Sequence, residues 1–240
     1  MSLGDPIFYH FLDSVDSTNL WVRLHHTTFD LNCLHIVYAA EQTQGKGTQG
    51  KSWASPKDLN IYATIFFRAT HIDPTLAQVL SVSITTVLNS KGFSAAIKWP
   101  NDLMLDHKKI GGILCELVPT KEGNLVILGF GLNVNMPQQL CNLIDKPTSS
   151  LFASSGKLFA ITPLLYLIGE QFQKDLLLYV DKGFSSFWEL YNSRMPYQGY
   201  PVELHGQPLG TSQHINSRGE LNILSPEGAV RSITSGSICL

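Results

Sequence analysis

Pro56 is the residue that most narrows the fold. It closes the stretch EQTQGKGTQGKSWASP, Glu41 to Pro56, in which Gly45 to Ser52 satisfy the phosphate-loop pattern G-x-x-x-x-G-K-[ST]. Such a loop cradles phosphates only when a helix follows, because the amides of the helix N-terminus complete the cradle. Pro56 sits about one turn into that supposed helix, where proline becomes costly. The next clear pattern, NIYATIFFR, alternates as a strand, with Ile61, Ala63, Ile65 and Phe67 to one side. The order is therefore strand, glycine loop, strand, and a phosphate-loop NTPase is set aside. A second lure is LLLYVD, Leu176 to Asp181, which resembles an apolar strand ending in a metal-binding Asp. It continues an amphipathic helix through Leu164, Leu165, Ile168, Phe172, Leu176 and Tyr179.

The rest of the chain reads as short strands with few helices. IFYHFLDS is a strand. DSTNLWVRLHH starts a helix, with Asp16, Ser17 or Thr18 as cap and Leu20, Trp21 and Leu24 on one face. Leu34 to Ala40 is a buried strand entering the glycine loop. Asp73-Pro74 opens a helix carrying Leu76, Val79, Leu80, Ile84, Val87 and Leu88 at helical spacing, and Gly92 ends it. Strands and turns follow, then one helix opened by Thr162-Pro163 and another around FSSFWELY. After Pro196, short strands are punctuated by Gly, Asn and Pro about every 8 to 10 residues, as in a small β-barrel or sandwich. The expected fold is α+β: a mixed sheet flanked by helices over residues 1–195, plus a small C-terminal β-barrel over 196–240.

Composition excludes several classes. Apolar residues make up 44% and charged residues 15% of 240, where roughly a quarter charged is usual; this is a core-rich globular chain. Net charge is −2 with no basic run, so a nucleic-acid surface is not expected. Apolar stretches break well before about 18 residues, so no membrane span is expected. The N-terminus has no basic region followed by an apolar run, as a signal peptide would. Cys33, Cys115, Cys141 and Cys239 have neither clip nor zinc spacing; free thiols in a reducing cytoplasm are the expectation.

Three constellations carry chemistry. In the first, Gly45, Gly47 and Gly50 allow close approach of backbone to an anion, Lys46 and Lys51 add cations, and Trp53 adds a flat surface. The plain alternative is a solvated β-hairpin. In the second, IKWPNDLML, Lys98 ends an apolar strand as a fixed charge, with Asp102 near enough to orient it or hold a metal. The plain alternative is an edge-strand lysine beside an ordinary turn. In the third, KKIGGILCEL and GFGLNVN carry Gly111, Gly112, Gly129 and Gly131 inside strands, which weakens them unless a ligand or backbone comes close. Either a slot for a flat ligand or tight packing accounts for them. Asn133 and Asn135 follow the second of these strands.

DSTN, EQTQGKGTQGKSWASP, KWPNDLML with KKIGGILCEL, and GFGLNVN stand here in the order and approximate spacing of the biotin–protein ligases. The chain resembles that family over essentially its whole length, in the form that lacks an N-terminal DNA-binding domain. The resemblance implies the catalytic fold shared by class II aminoacyl-tRNA synthetases and biotin–lipoate ligases. It also implies a cytoplasmic enzyme that converts biotin and Mg·ATP to biotinyl-5′-AMP. Biotin would then pass to a lysine of a biotin carboxyl carrier protein, such as that of acetyl-CoA carboxylase. Ser17, Thr18, Asn19, Gln42, Gly45 and Lys46 would hold biotin, with Gly112 and Gly131 lining its slot. Lys98, with Lys46, would serve catalysis by gripping the joining carboxylate and phosphate. Lys46, Gly47, Thr48, Lys51 and Lys98 would hold the adenylate, with Trp53 and Asn133 on the adenine. Magnesium ligands are unassigned and homodimerisation is left open. One departure stands out: where the family usually reads G-R-G-R, this chain reads Gly45-Lys46-Gly47-Thr48. A lipoate–protein ligase is the sister alternative, but its usual R-R-x-x-G-G-G signature is missing. A binding protein without the chemistry is the other, and an intact KWPND argues against it.

Overall fold

The computed structural model describes residues 6–69 and 75–240. Its larger sheet has seven strands: β1 (Phe8–Val15), β2 (His35–Gln42), β3 (Ile61–Ala69), β4 (Ala96–Lys98), β5 (Asp102–Leu105), β6 (Lys108–Thr120) and β7 (Gly123–Leu132). Their order is β1-β2-β3-β7-β6-β5-β4. Only β1 and β2 pair in parallel; every other neighbour is antiparallel. A second sheet holds β8 (Pro201–Leu204), β9 (Gln207–Ile215), β10 (Leu221–Leu224), β11 (Val230–Ile233) and β12 (Ser237–Ile238). It is antiparallel throughout, in the order β11-β10-β9-β8-β12. The helices are α1 (Thr18–His25), α2 (Leu76–Ser90), α3 (Gln138–Cys141), α4 (Leu151–Ser155), α5 (Ile161–Lys182) and α6 (Trp188–Ser193). Among the described residues no helix is long and apolar enough to cross a membrane, and none of the four cysteines forms a disulfide.

The strand β3 shows how the sheet is covered. Ile61, Ala63, Ile65 and Phe67 join the main core with α2 and α5, as their alternation predicts. Phe66, between them, is equally buried in a smaller cluster with Val22, Leu31, Val37, Leu125 and Ile127 on the opposite face. A central strand covered on both sides reads as a continuous apolar run. LLLYVD lies inside α5, as its helical spacing requires. Helix α2 is buried nearly all round; Ser81, Ser83 and Thr85 are tolerated there because each hydroxyl donates to the carbonyl four residues back. The expected start of this helix, Asp73-Pro74, lies outside the described residues. Gly92, at φ 87°, closes its C-terminal end.

Helix α1 departs from expectation. Leu24 is 69% exposed, and the buried face is Thr18, Asn19 and Val22. Ser17 precedes the helix without a side-chain cap. Polar residues face inward because the sheet beneath offers polar partners, described below.

The second sheet packs into the same core. Val202, Ile215, Leu221, Ile223 and Ile238 belong to the main cluster, and so do Met195 and Tyr197 on either side of residue 196. Hydrogen bonds also tie the second sheet to α2 and to the segment that leaves β4. The Gly219 carbonyl accepts from Trp99 Nε1 (3.2 Å) and Gln78 Nε2 (2.8 Å), and the Ile238 carbonyl accepts from Lys98 Nζ (3.5 Å).

Where β1 meets β2, two histidines are hydrogen-bonded to each other. His35 Nε2 lies 2.9 Å from the Asp30 carbonyl, which can only accept, so that nitrogen carries the proton. His35 Nδ1 then accepts from His10 Nε2 at 3.2 Å. Burial, and then the neighbouring His35, hold His10 below the usual histidine range. A depressed histidine stays neutral in the fold and takes up a proton on unfolding. Its stabilising contribution is complete above the ordinary histidine pKa of about 6.5 and declines as pH drops below it. The melting temperature is expected to fall between pH 7.5 and 5.5, and to fall less in His10→Phe. Equal falls in the two proteins would refute the pair's role.

Candidate active site

The glycine loop folds into a hairpin that lies on the sheet. Lys46 and Ser52 form an antiparallel bridge. Gly47 N donates to the Lys51 carbonyl (2.7 Å) and Trp53 N to the Gly45 carbonyl (2.8 Å). The tip, Thr48–Gly50, is a single 3₁₀ turn, with Gly50 at φ 72°. No helix follows before β3, so the reading from Pro56 holds. At the base only glycine fits position 45: a Cβ there would lie 2.5 Å from the Trp53 carbonyl oxygen and 2.7 Å from Ser55 Oγ.

A chain of hydrogen bonds joins this hairpin to α1 and the sheet. Gln42 Nε2 donates to Ser55 Oγ (3.1 Å), and Ser55 donates to the Trp53 carbonyl (3.1 Å). Gln42 Oε1 accepts from both the amide and the hydroxyl of Thr18 (2.9 and 3.1 Å). The Thr64 hydroxyl lies 2.6 Å from Asn19 Oδ1 and 2.8 Å from Thr18 Oγ1. Asn19 Nδ2 donates to Glu116 Oε2 (2.8 Å), whose other oxygen pairs with Arg23 (2.8 Å). Thr18, Asn19 and Gln42 therefore hold one another, while Ser17 caps nothing.

The strand glycines explain why these groups converge. A Cβ on Gly129 would lie 2.1 Å from Asn19 Oδ1; one on Gly131 would lie 2.4 Å from Trp53 Cε2. One on Gly111 would meet the Gly131 carbonyl at 2.7 Å, and one on Gly112 would meet Lys109 Nζ at 3.3 Å. Part of the tight packing allowed for in the sequence is thus real, and the occupants are the protein's own side chains. Between them remains a cavity of about 50 Å³ lined by Ser17, Thr18, Gln42, Lys46, Lys109 and Trp53, among others. Useful ligand sites span about 300–1,000 Å³, so this slot is closed over. The buried Trp53 Nε1 has no partner, a donor whose desolvation is worth about 1–3 kcal/mol to satisfy.

Of the expected residues, Ser17, Thr18, Asn19, Gln42, Lys46, Gly47, Thr48, Trp53, Gly112 and Gly131 line this slot. Lys51 and Asn133 do not; they line an adjoining cavity of about 510 Å³, which shares Gly47, Thr48, Trp53 and Lys109 with it. Gly45 is buried in the hairpin base. Lys98 lines neither. It is turned toward Asp102 Oδ2 (3.5 Å) and the Ile238 carbonyl.

The lysine between the two cavities is Lys109, which sequence reasoning missed. It pairs with Asp102 Oδ1 and stands 5.4 Å from the centroid of the Trp53 ring. Asp102 thus carries two ammonium groups. Asn101, also on the lining, is structural: it donates to the Ile113 carbonyl (2.6 Å) and fixes the turn against β6. Gly129→Ala is expected to displace Asn19 and destabilise the protein by about 1–3 kcal/mol, the usual range for overpacking. An unchanged denaturant midpoint would refute the packing argument.

Comparison with known proteins accords with this geometry. Residues 11–133, just over half of the chain, match the biotin/lipoate A/B protein ligase family. The chain is 27% identical over 237 residues to the bifunctional ligase/repressor BirA of Escherichia coli (strain K12), spanning 95% of this chain and 73% of that protein. It is 33% identical over 174 residues to biotin–protein ligase 2 of Arabidopsis thaliana, spanning 67% of this chain and about half (51%) of that protein. Among solved structures, the biotin protein ligase from Aquifex aeolicus in complex with biotin and ATP superposes with a TM-score of 0.81 at 26% identity, covering 97% of each chain. The chain belongs to the biotin/lipoate A/B protein ligase family.

Proposed function

We propose that this protein activates biotin with ATP to biotinyl-5′-AMP and transfers biotin to a specific lysine of a biotin carboxyl carrier protein. The observation that carries the reading is Lys109, anchored by Asp102 at the junction of a closed slot and a larger cationic cavity. In the first step a carboxylate oxygen of biotin bonds to the α-phosphorus of ATP and the bond to pyrophosphate breaks. Negative charge concentrates where the two anions meet, and a fixed ammonium there lowers the barrier. Lys109 takes this role. Lys98 acts one step removed, as the second cation on Asp102. In the second step the carrier's amine nitrogen attacks the acyl carbon, AMP leaves, and the amine gives up a proton.

Biotin's ureido ring offers two N–H donors and a carbonyl. Ser17, which caps nothing, is its hydroxyl partner, while Thr18 and Gln42 are braced against each other. The Trp53 indole N–H supplies a further donor. The hairpin must lift from Gly131 to admit the acid, as lids do. Magnesium finds no cage of its own: among the described residues no three carboxylate, histidine or cysteine side chains gather, and Asp102 is committed to two lysines. The residues leave room for an ion held mainly by nucleotide phosphates.

Pyrophosphate exchange into ATP, run with biotin, lipoate, octanoate or no acid, tests the reading. Exchange with biotin alone is expected, with a loss of about a hundredfold or more in Lys109→Ala and a smaller loss in Lys98→Ala. Exchange with lipoate or octanoate would move the protein to the sister activity. No exchange beside tight biotin binding would make it a binding protein.

Thr48 at the hairpin tip bears on retention of the adenylate. A neutral hydroxyl there forgoes a charge-assisted hydrogen bond of about 1.5–3 kcal/mol. Thr48→Arg is therefore expected to lower labelling of lysines on an unrelated bystander protein. Equal labelling by both forms would dismiss the effect.

A further inference from the structure

The larger cavity has two kinds of lining. Trp53, Ala54, Leu143 and Ile144 give it apolar surface, and Lys51, Lys109 and Lys146 give it cations, with Lys109 5.4 Å from the centroid of the Trp53 ring. Lys146 is on none of the motifs read from the sequence. Its side chain is exposed, but its backbone is pinned. The Lys146 carbonyl accepts from the Thr148 hydroxyl (2.9 Å). The next residues pair with Lys109 itself: Lys109 N donates to the Pro147 carbonyl (2.9 Å) and Ser149 N to the Lys109 carbonyl (3.0 Å). Asn133 Nδ2 holds the Ser149 carbonyl at 3.0 Å. The fold thus builds Lys146 onto the strand start that carries Lys109.

We propose that Lys146, together with Lys51, grips the terminal phosphates of the nucleotide, the portion that leaves as pyrophosphate. The inference rests on the ATP-dependent activation proposed above. Lys51 is the charge that Lys146 feels most, ahead of burial and of Lys98 and Lys109, and it holds the ammonium below the usual lysine range. Opposing carboxylates are few: Asp145 is the one acidic residue on this lining, and Asp102, outside it, is shared by Lys98 and Lys109. Like charges brought together in this way repel until a polyanion joins them, and a nucleotide, with an apolar base and a triphosphate, matches both kinds of lining.

Two measurements test it. Calorimetric titration with inorganic tripolyphosphate needs no acid substrate. Lys146→Ala is expected to weaken binding about tenfold, as loss of one charge-assisted contact implies. Lys146→Arg should stay near the parent, and Lys174→Ala, on α5, should match it. In pyrophosphate exchange the KM for ATP and for pyrophosphate should rise in Lys146→Ala while the KM for biotin holds. Unchanged tripolyphosphate affinity in Lys146→Ala would overturn the proposal. So would a KM for biotin that rises in step with that for ATP, because the loop would then be merely supporting the slot. If tripolyphosphate binds through Lys146 but biotin drives no exchange, the biotin reading fails and the phosphate site stands.

Discussion

Two missing Cβ atoms on β7 determine how the site is assembled. Gly129 leaves space that Asn19 of α1 occupies, and Gly131 leaves space that Trp53 of the hairpin occupies. A helix and a loop from separate parts of the chain can therefore rest on the same strand, two residues apart. Everything polar follows from that contact. Asn19 reaches Glu116 and Thr64 because it lies against the strand, and Thr18 reaches Gln42 because Asn19 holds the helix down. Any side chain at either position would lift one of the two elements and break the chain of hydrogen bonds between them.

The charge arrangement of the candidate site is sparse. Asp102 on β5 neutralises part of two lysines that come from β4 and β6, its neighbours on either side. Partly buried, these three groups are held by strand pairing rather than by flexible side chains, which keeps the entropy of ordering low. In a chain with 15% charged residues, a local excess of lysine is informative. The surface elsewhere contributes little competing field.

Much of this was legible in the sequence. Pro56 excluded a helix after the glycine loop, and the alternation in β3 assigned its core face. The glycine-bearing strands pointed to a cavity that Gly112, Gly129 and Gly131 do line. Lys109 was not legible by the same logic. Its partner Asp102 belongs to another strand, and an irregularity in the pairing after Leu103 shifts which residues face each other. The available signal was a lysine two residues before a glycine pair, since Gly112 gives the ammonium its space. The face of α1 was misread for a related reason. Apolar spacing places Leu24 inside, but the inner face rests on Thr64 and Glu116 and takes polar residues instead. Local propensity carries no information about what a helix will lie against.

The ties at Gly219 have a consequence for how the chain matures as it is made. The Trp99 indole, the Gln78 amide and the Lys98 ammonium flank or support the KWPND turn, and their acceptors are carbonyls more than a hundred residues further on. A nascent chain that has emerged through β7 holds every strand of the first sheet but has no acceptor for these donors. The turn that carries Asp102 is thus completed late in synthesis, when β9, β10 and β12 dock. An unfinished polypeptide already holds Lys109 on Asp102 through β5 and β6, whereas the Trp99 indole, the Gln78 amide and the Lys98 ammonium reach their carbonyls only once the last strands are in place.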